Sequence, residues 1–169
     1  MENEFQIQNI FYLLGLFFLL RGTFYMVKQQ NAVIIERLGK FNKVSKAGLH
    51  VKIPFIDRIA GNVNLRVREL PVEVETKTKD DVFVKIVVSV QFFIIDAKEG
   101  VKDSFYELNN PEQQIQSYVF DSIRSEVPLM ELDDVFAEKE KIALAIKDEL
   151  SDTMRQFGFD FIKALVTDI

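Results

Sequence analysis

At 169 residues, 48% of them apolar and 28% charged, the chain has room for one globular module plus a short appendage, and it is too apolar to be a disordered tail. It has no cysteine and a single histidine, which excludes disulfides, cysteine nucleophiles and zinc sites built on thiolates or paired imidazoles. The net charge of −5 conceals an asymmetry: residues 21–52 carry seven Lys/Arg against Glu36 alone, whereas residues 53–169 hold 14 Lys/Arg against 23 Asp/Glu.

The first element is apolar. Ile10, Phe11, Tyr12, Leu13, Leu14, Gly15, Leu16, Phe17, Phe18, Leu19 and Leu20 run without a polar residue, and the pattern resumes after Arg21-Gly22-Thr23 as Phe24–Val27. Eleven helical residues reach only about 16 Å, roughly half of the bilayer hydrocarbon. The whole stretch from Ile10 to Val27 just spans if Arg21 snorkels to the headgroups. A signal peptide would open with basic residues and close on small ones, whereas this segment opens with Glu2 and Glu4. Residues 1–27 are therefore expected to be a membrane anchor, either single-pass or half-inserted. The positive charge on its C-terminal flank places residues 28–169 on the cytoplasmic side. Within the basic band, Lys40, Lys43 and Lys46 are the candidate contacts to an anionic lipid surface, although the same lysines also read as a solvated face.

From Asn31 to Ile95 the periodicity is that of strands. Ala32–Arg37 is β-branched and apolar, Leu38-Gly39-Lys40 is a tight connection into Phe41–Val44, and Leu49–Ile53 is a short strand stopped by Pro54. Val63, Leu65 and Val67 alternate with polar residues, and after a break near Glu69–Pro71 so do Val72 and Val74. The longest strand, Val82–Ile95, keeps Val82, Val84, Ile86, Val88, Val90 and Phe92 on one face. Lys79-Asp80-Asp81 predicts an antiparallel hairpin before it.

Beyond Ala97 the period is helical. A short helix carries Val101, Phe105 and Leu108. The next has Asn110 as N-cap, Pro111 in its first turn and Gln113 closing a capping box, with Ile115, Tyr118, Val119, Ser122, Ile123 and Val127 inward. A third helix is predicted from Asp133-Asp134 to about Phe157, with Val135, Ile142, Ile146, Leu150 and Met154 inward and Gly158 as its left-handed stop. Phe159–Ile169 is expected to be a final strand or an extended edge. Strands first and helices second predict an α+β fold, an antiparallel sheet with helices on one face, occupying residues 28–169.

Residues with the chemistry of an enzyme are sparse. Phosphate-binding glycine loops, serine-nucleophile elbows and zinc-protease motifs are absent from the sequence. His50 is a lone strand histidine, Asp80-Asp81 reads as a turn, and Glu73 with Glu75 reads as the exposed side of a strand. No catalytic, cofactor-binding or metal-ligating residue is assigned, and the acidic body argues against nucleic acid.

Several segments in order carry a resemblance. Gln29–Val33, Glu36–Phe41 and Ala47–Asp57 resemble the opening of the SPFH or band 7 domain shared by stomatins, prohibitins and flotillins. Glu75–Val84 is similar to its central hairpin. Gln114–Arg124 with Leu132–Phe136 resembles the hypersensitive-induced-reaction branch and its bacterial relatives. The resemblance covers residues 28–169. It implies a non-enzymatic, membrane-associated scaffold without cofactors that forms homo-oligomers, organises lipid microdomains and holds partners such as a membrane protease or channel. The alternative is a monomeric or low-order regulatory module docking on such a partner. Two departures from the pattern stand out: a hydrophobic segment replaces the lipid anchor frequent in the plant branch, and the long charged helix that usually follows the domain is not in these 169 residues.

Overall fold

A computed structural model of the chain describes residues 22–169 and divides at Asn64/Leu65 into two compact units. The expected anchor residues Ile10 to Leu20 lie outside the described residues. Among the described residues all strand pairings are antiparallel, but they form three small sheets where sequence periodicity suggested one.

From Phe24 onward the regular elements of the first unit are strands: β1 (Phe24–Val27), β2 (Asn31–Arg37), β3 (Lys40–Ser45), β4 (Gly48–Val51) and β5 (Asp57–Asn64). Phe24–Val27, read from sequence as the last turn of the anchor, is not helical. It pairs with β4 and turns Val27 onto a small core with Val33 and Ile35, Tyr25 packing beside them. Alternation at period 2 satisfies a two-stranded ribbon with only one buried face, which a helix through the same residues would not. The second sheet has the order β3-β2-β5. Between β2 and β3 the two-residue loop Leu38-Gly39 has φ of 51° and 80°, the left-handed pair that a tight hairpin needs to match strand twist. β5 begins at Asp57 and ends at Asn64, so Leu65 and Val67, expected in the same strand as Val63, lie in the connection to the second unit.

In the second unit β6 (Arg68–Lys77), β7 (Phe83–Ile94) and β8 (Phe159–Asp168) form one sheet in that order. The strand break expected near Glu69–Pro71 does not occur: Pro71 sits inside β6, opposite Ser89. β6 is an edge strand, the one place where a missing ladder N–H is tolerated within a strand. Cross-strand rows Val74/Ile86, Val72/Val88/Val166, Val90/Ala164, Phe92/Phe161 and Ile94/Phe159 line up on one face. Most of these side chains are buried, beneath the helices α1 (Lys98–Tyr106), α2 (Pro111–Glu126), α3 (Leu132–Ala137) and α4 (Lys139–Met154). The opposite face carries Glu73 paired to Lys85 at 2.6 Å, and Glu69 accepting a hydrogen bond from the Ser89 hydroxyl. The expected plan of one sheet with helices on one face thus holds for this unit.

Local signals explain the helices. Asn110 Oδ1 accepts the Gln113 N–H at 3.3 Å and its amide reaches Gln113 Oε1, a reciprocal cap at the start of α2. The single helix expected from Asp133 to Phe157 is broken at Glu138, whose φ and ψ of −102° and 15° leave the helical range between α3 and α4. Its inward residues Val135, Ile142, Ile146, Leu150 and Met154 are nevertheless all buried. Gly158 ends the helical stretch at φ 82°, and a Cβ there would lie 2.1 Å from the Gly100 carbonyl oxygen. Only glycine fits that close approach.

Candidate membrane-contact site

The register of β1 against β4 pairs Phe24 with Val51, Tyr25 with His50 and Met26 with Leu49. Successive side chains alternate between faces, so Tyr25, Val27 and His50 turn inward, where Tyr25 and His50 stack at 5.6 Å and the Tyr25 hydroxyl lies 2.6 Å from Ser45 Oγ. His50 Nε2 is 2.6 Å from the Lys46 carbonyl. An acceptor-only carbonyl there requires the ring proton on Nε2. The histidine is a structural member of the ribbon.

The outward face of the same ribbon is Phe24, Met26, Leu49 and Val51, between 52% and 77% exposed. An exposed apolar side chain is unremarkable alone; four in register on one face make a continuous patch, which soluble surfaces seldom carry without a partner. The turn that follows β4 extends the apolar character. Phe55 is 95% exposed and held at φ 69°, a left-handed conformation that bulky residues avoid.

That turn is pinned by Asp57. Its carboxylate accepts from Arg37 Nε at 2.7 Å, from the second Arg37 nitrogen at 3.2 Å and from the Ile53 N–H at 2.9 Å, while the Asp57 N–H donates to the Ile53 carbonyl at 2.8 Å. The arginine hydrogen bond, then that of the Ile53 N–H, lowers the Asp57 pKa to about 2. A buried carboxylate with three donors thus fixes the loop that displays Phe55.

The three candidate lysines are spread along β3. Lys40 is its first residue and Lys46 follows its last, both exposed, whereas Lys43 donates to the Val51 carbonyl at 3.1 Å and so ties β3 to β4. Sequence reasoning named these lysines and placed Phe24 and Met26 in the anchor stretch, but did not set them on a sheet face with Leu49 and Val51, and it did not single out Phe55. The signal was present as the alternation Phe24-x-Met26 and Leu49-x-Val51, hidden because Phe24–Val27 continues the apolar run. Charge marks the unit as well: residues 22–64 carry Lys28, Arg37, Lys40, Lys43, Lys46, Lys52 and Arg58 against Glu36 and Asp57, a net +5.

The carboxylates set aside in the sequence do structural work. Asp80 Oδ1 accepts from the Thr78 hydroxyl at 2.5 Å and from the Leu132 N–H at 3.2 Å, and these contacts lower its pKa, the hydroxyl foremost. Glu73 raises the Lys85 pKa through their hydrogen bond and charge. Among the described residues no group of three His, Cys, Asp or Glu could hold a metal ion, and no helix is long and apolar enough to cross a membrane.

The model of the SPFH domain / Band 7 family matches residues 25–169. The chain is 39% identical over 144 residues to hypersensitive-induced response protein 4 of Arabidopsis thaliana, covering 85% of this chain and 49% of that protein. It is 29% identical over 145 residues to human mitochondrial stomatin-like protein 2, covering 85% and 39%. Stomatin-like protein stl-1 of Caenorhabditis elegans is 28% identical over 146 residues, covering 85% and 43%. The chain therefore spans less than half the length of these relatives.

Proposed function

Because this chain belongs to the SPFH domain / Band 7 family, whose members are generally membrane-associated, non-enzymatic scaffolds, we propose that it is a membrane-held scaffold that self-associates and organises lipid or membrane-protein partners around it. The observation that carries this reading is the outward face of the β1–β4 ribbon. Phe24 follows the apolar run Ile10–Leu20 by three residues in the sequence, so an anchored chain emerges from lipid directly into a ribbon with an apolar outer face. A residue that is both strained and fully exposed, as Phe55 is, gains nothing from the fold that holds it. Lipid acyl chains offer the missing contact at about 1.5–3 kcal/mol for each large apolar side chain fully withdrawn from water. Lys40 and Lys46 stand on the same unit as cations for anionic headgroups, each worth about 1 kcal/mol near such a surface. Ile10–Leu20 is the anchor in this reading and residues 28–169 face the cytoplasm.

The absence of cysteine makes the test clean. A single cysteine carrying an environment-sensitive dye is placed at Met26, Leu49 or Phe55, and at Lys85 as a control, in the full chain reconstituted with anionic vesicles. The three test positions should shift to the blue and be quenched by lipid-borne nitroxides, and Lys85 should do neither. Unquenched dye at all three would remove the membrane-contact reading. Particle mass after detergent extraction addresses assembly: many identical copies support the scaffold, and one copy per partner supports the alternative of a regulatory module docking on a membrane protease or channel.

A further inference from the structure

The second unit is strongly acidic, with 13 Lys/Arg against 22 Asp/Glu over residues 65–169, a net −9. One surface departs from that charge. Between α4 and β8 runs a groove of about 520 Å³ whose lining includes Lys139, Lys147 and Lys163 against Glu140 as its one acid. Its floor has apolar side chains, among which Leu144 and Ile162 are more than half exposed. Five consecutive β8 residues, 162–166, line it, so the groove follows the strand itself and not just one of its faces.

β8 has β7 on one side only, so its other edge presents backbone N–H and C=O groups without a strand partner in its sheet. Register shifts interrupt its pairing at Ile162 and at Thr167, and between them Lys163, Ala164, Leu165 and Val166 pair regularly with Gln91, Ser89 and their neighbours. The bulges restrict edge pairing to this short segment, about 13 Å at the usual rise per residue. A long flat edge invites aggregation, whereas a short one beside a groove suits a single extended peptide.

We propose that this groove binds an extended, acidic segment of a partner protein, which adds to the 163–166 edge of β8 by main-chain hydrogen bonds. Alternate side chains of that segment go in opposite directions. Apolar ones enter beside Leu144 and Ile162, and carboxylates meet Lys139, Lys147 and Lys163. Charge decides the occupant: a cationic groove on an acidic unit attracts an anionic peptide while the surrounding surface repels it. The inference is independent of the membrane contact, because every residue in it belongs to the second unit.

The probe is a fluorescent, acetylated peptide of about eight residues alternating glutamate with valine, long enough to cover the segment. It is titrated by anisotropy against the full chain in detergent micelles. Saturable binding is expected, weakened about tenfold or more by Lys147→Glu with Lys163→Glu, and weakened again as salt rises. Methylating the peptide's alternate backbone nitrogens should weaken it comparably by blocking the edge hydrogen bonds. Lys163 is exposed and Lys147, paired to Asp148 at 3.1 Å, is part-buried; an unchanged circular dichroism spectrum separates lost binding from lost folding. The proposal is overturned if the peptide with lysine in place of glutamate binds as well, or if the methylated peptide does. It is also overturned if light scattering shows that the chain alone forms dimers which Leu144→Asp dissolves, since a second copy would then fill the groove.

Discussion

The two units bury apolar surface in opposite ways. In residues 65–169 one sheet turns a row of Val, Ile, Phe and Ala inward beneath helices, and its outer face is dressed with Glu73, Lys85, Glu69 and Gln91. In residues 22–64 the β1–β4 ribbon buries Val27 against a small core but leaves Phe24, Met26, Leu49 and Val51 outside. The period-2 alternation is the same in both. What differs is the chemistry of the outward positions: in the second unit charged and polar side chains are interspersed with apolar ones such as Phe83 and Ile162, whereas the outward face of the β1–β4 ribbon is apolar throughout. The charge difference, +5 against −9, follows the same division.

The largest effect that sharpens this contrast belongs to the second unit. Gly158→Ala forces a side chain into a left-handed position, which costs about 1–2 kcal/mol, and sets a Cβ 2.1 Å from the Gly100 carbonyl oxygen, which the backbone must move to relieve. The expected loss is about 3 kcal/mol or more. Gly39→Ala in the first unit has φ +80° but open space around it, so only the conformational part, about 1 kcal/mol, should appear. Urea denaturation followed by circular dichroism measures both. Hydrogen exchange should loosen residues 65–169 in the Gly158 variant and leave 22–64 protected; equal loosening of both segments would show that the units do not unfold separately.

How far the sequence disclosed this arrangement depends on which signal each residue carried. The α2 cap at Asn110 and the stop at Gly158 are local chemistry, so they were legible. The core face of β7 was legible because every second residue from Val84 to Phe92 is apolar. β6 through Pro71 was not, because a proline breaks a strand or marks an edge depending on a neighbour that lies elsewhere in the chain. The break at Glu138 left no mark, since inward residues keep helical spacing on both sides of it. The apolar face of the β1–β4 ribbon was not legible for a different reason. Phe24 and Met26 continue an apolar run, and only pairing with Leu49 and Val51, more than twenty residues away, shows that they share a sheet face.

A smaller effect tests whether strain in the first unit serves an outside contact. Phe55→Gly relieves the left-handed penalty at φ 69° and removes a side chain that buries almost nothing. The fold should gain about 1 kcal/mol in urea denaturation while vesicle association weakens. Stability and membrane binding would then move in opposite directions through one residue. A variant that is less stable, with binding intact, would place Phe55 in the ordinary packing of the fold and leave the apolar face without its strongest support.

The smallest expected effect is read against pH. Asp57 has its pKa lowered to about 2, first by the Arg37 hydrogen bond and then by the Ile53 N–H. A carboxylate that is more acidic folded than unfolded binds fewer protons in the native state. Its contribution to stability is complete above the unfolded carboxylate range near pH 4, and it is lost as pH falls from about 4 to 2. Arg37 is nearly half-exposed, so water screens the pair and the loss is modest. Asp57→Asn should lower the denaturation midpoint at pH 7 and flatten its decline between pH 4 and 2, because the group that titrates there is gone. The Ile53–Asp57 turn should also loosen in hydrogen exchange, since the amide oxygen keeps at most part of the Arg37 and Ile53 contacts. If the wild type and Asp57→Asn lose stability in parallel over that window, other carboxylates govern acid unfolding, and the Arg37–Asp57 pair sets the geometry of the Phe55 loop without setting its acid sensitivity.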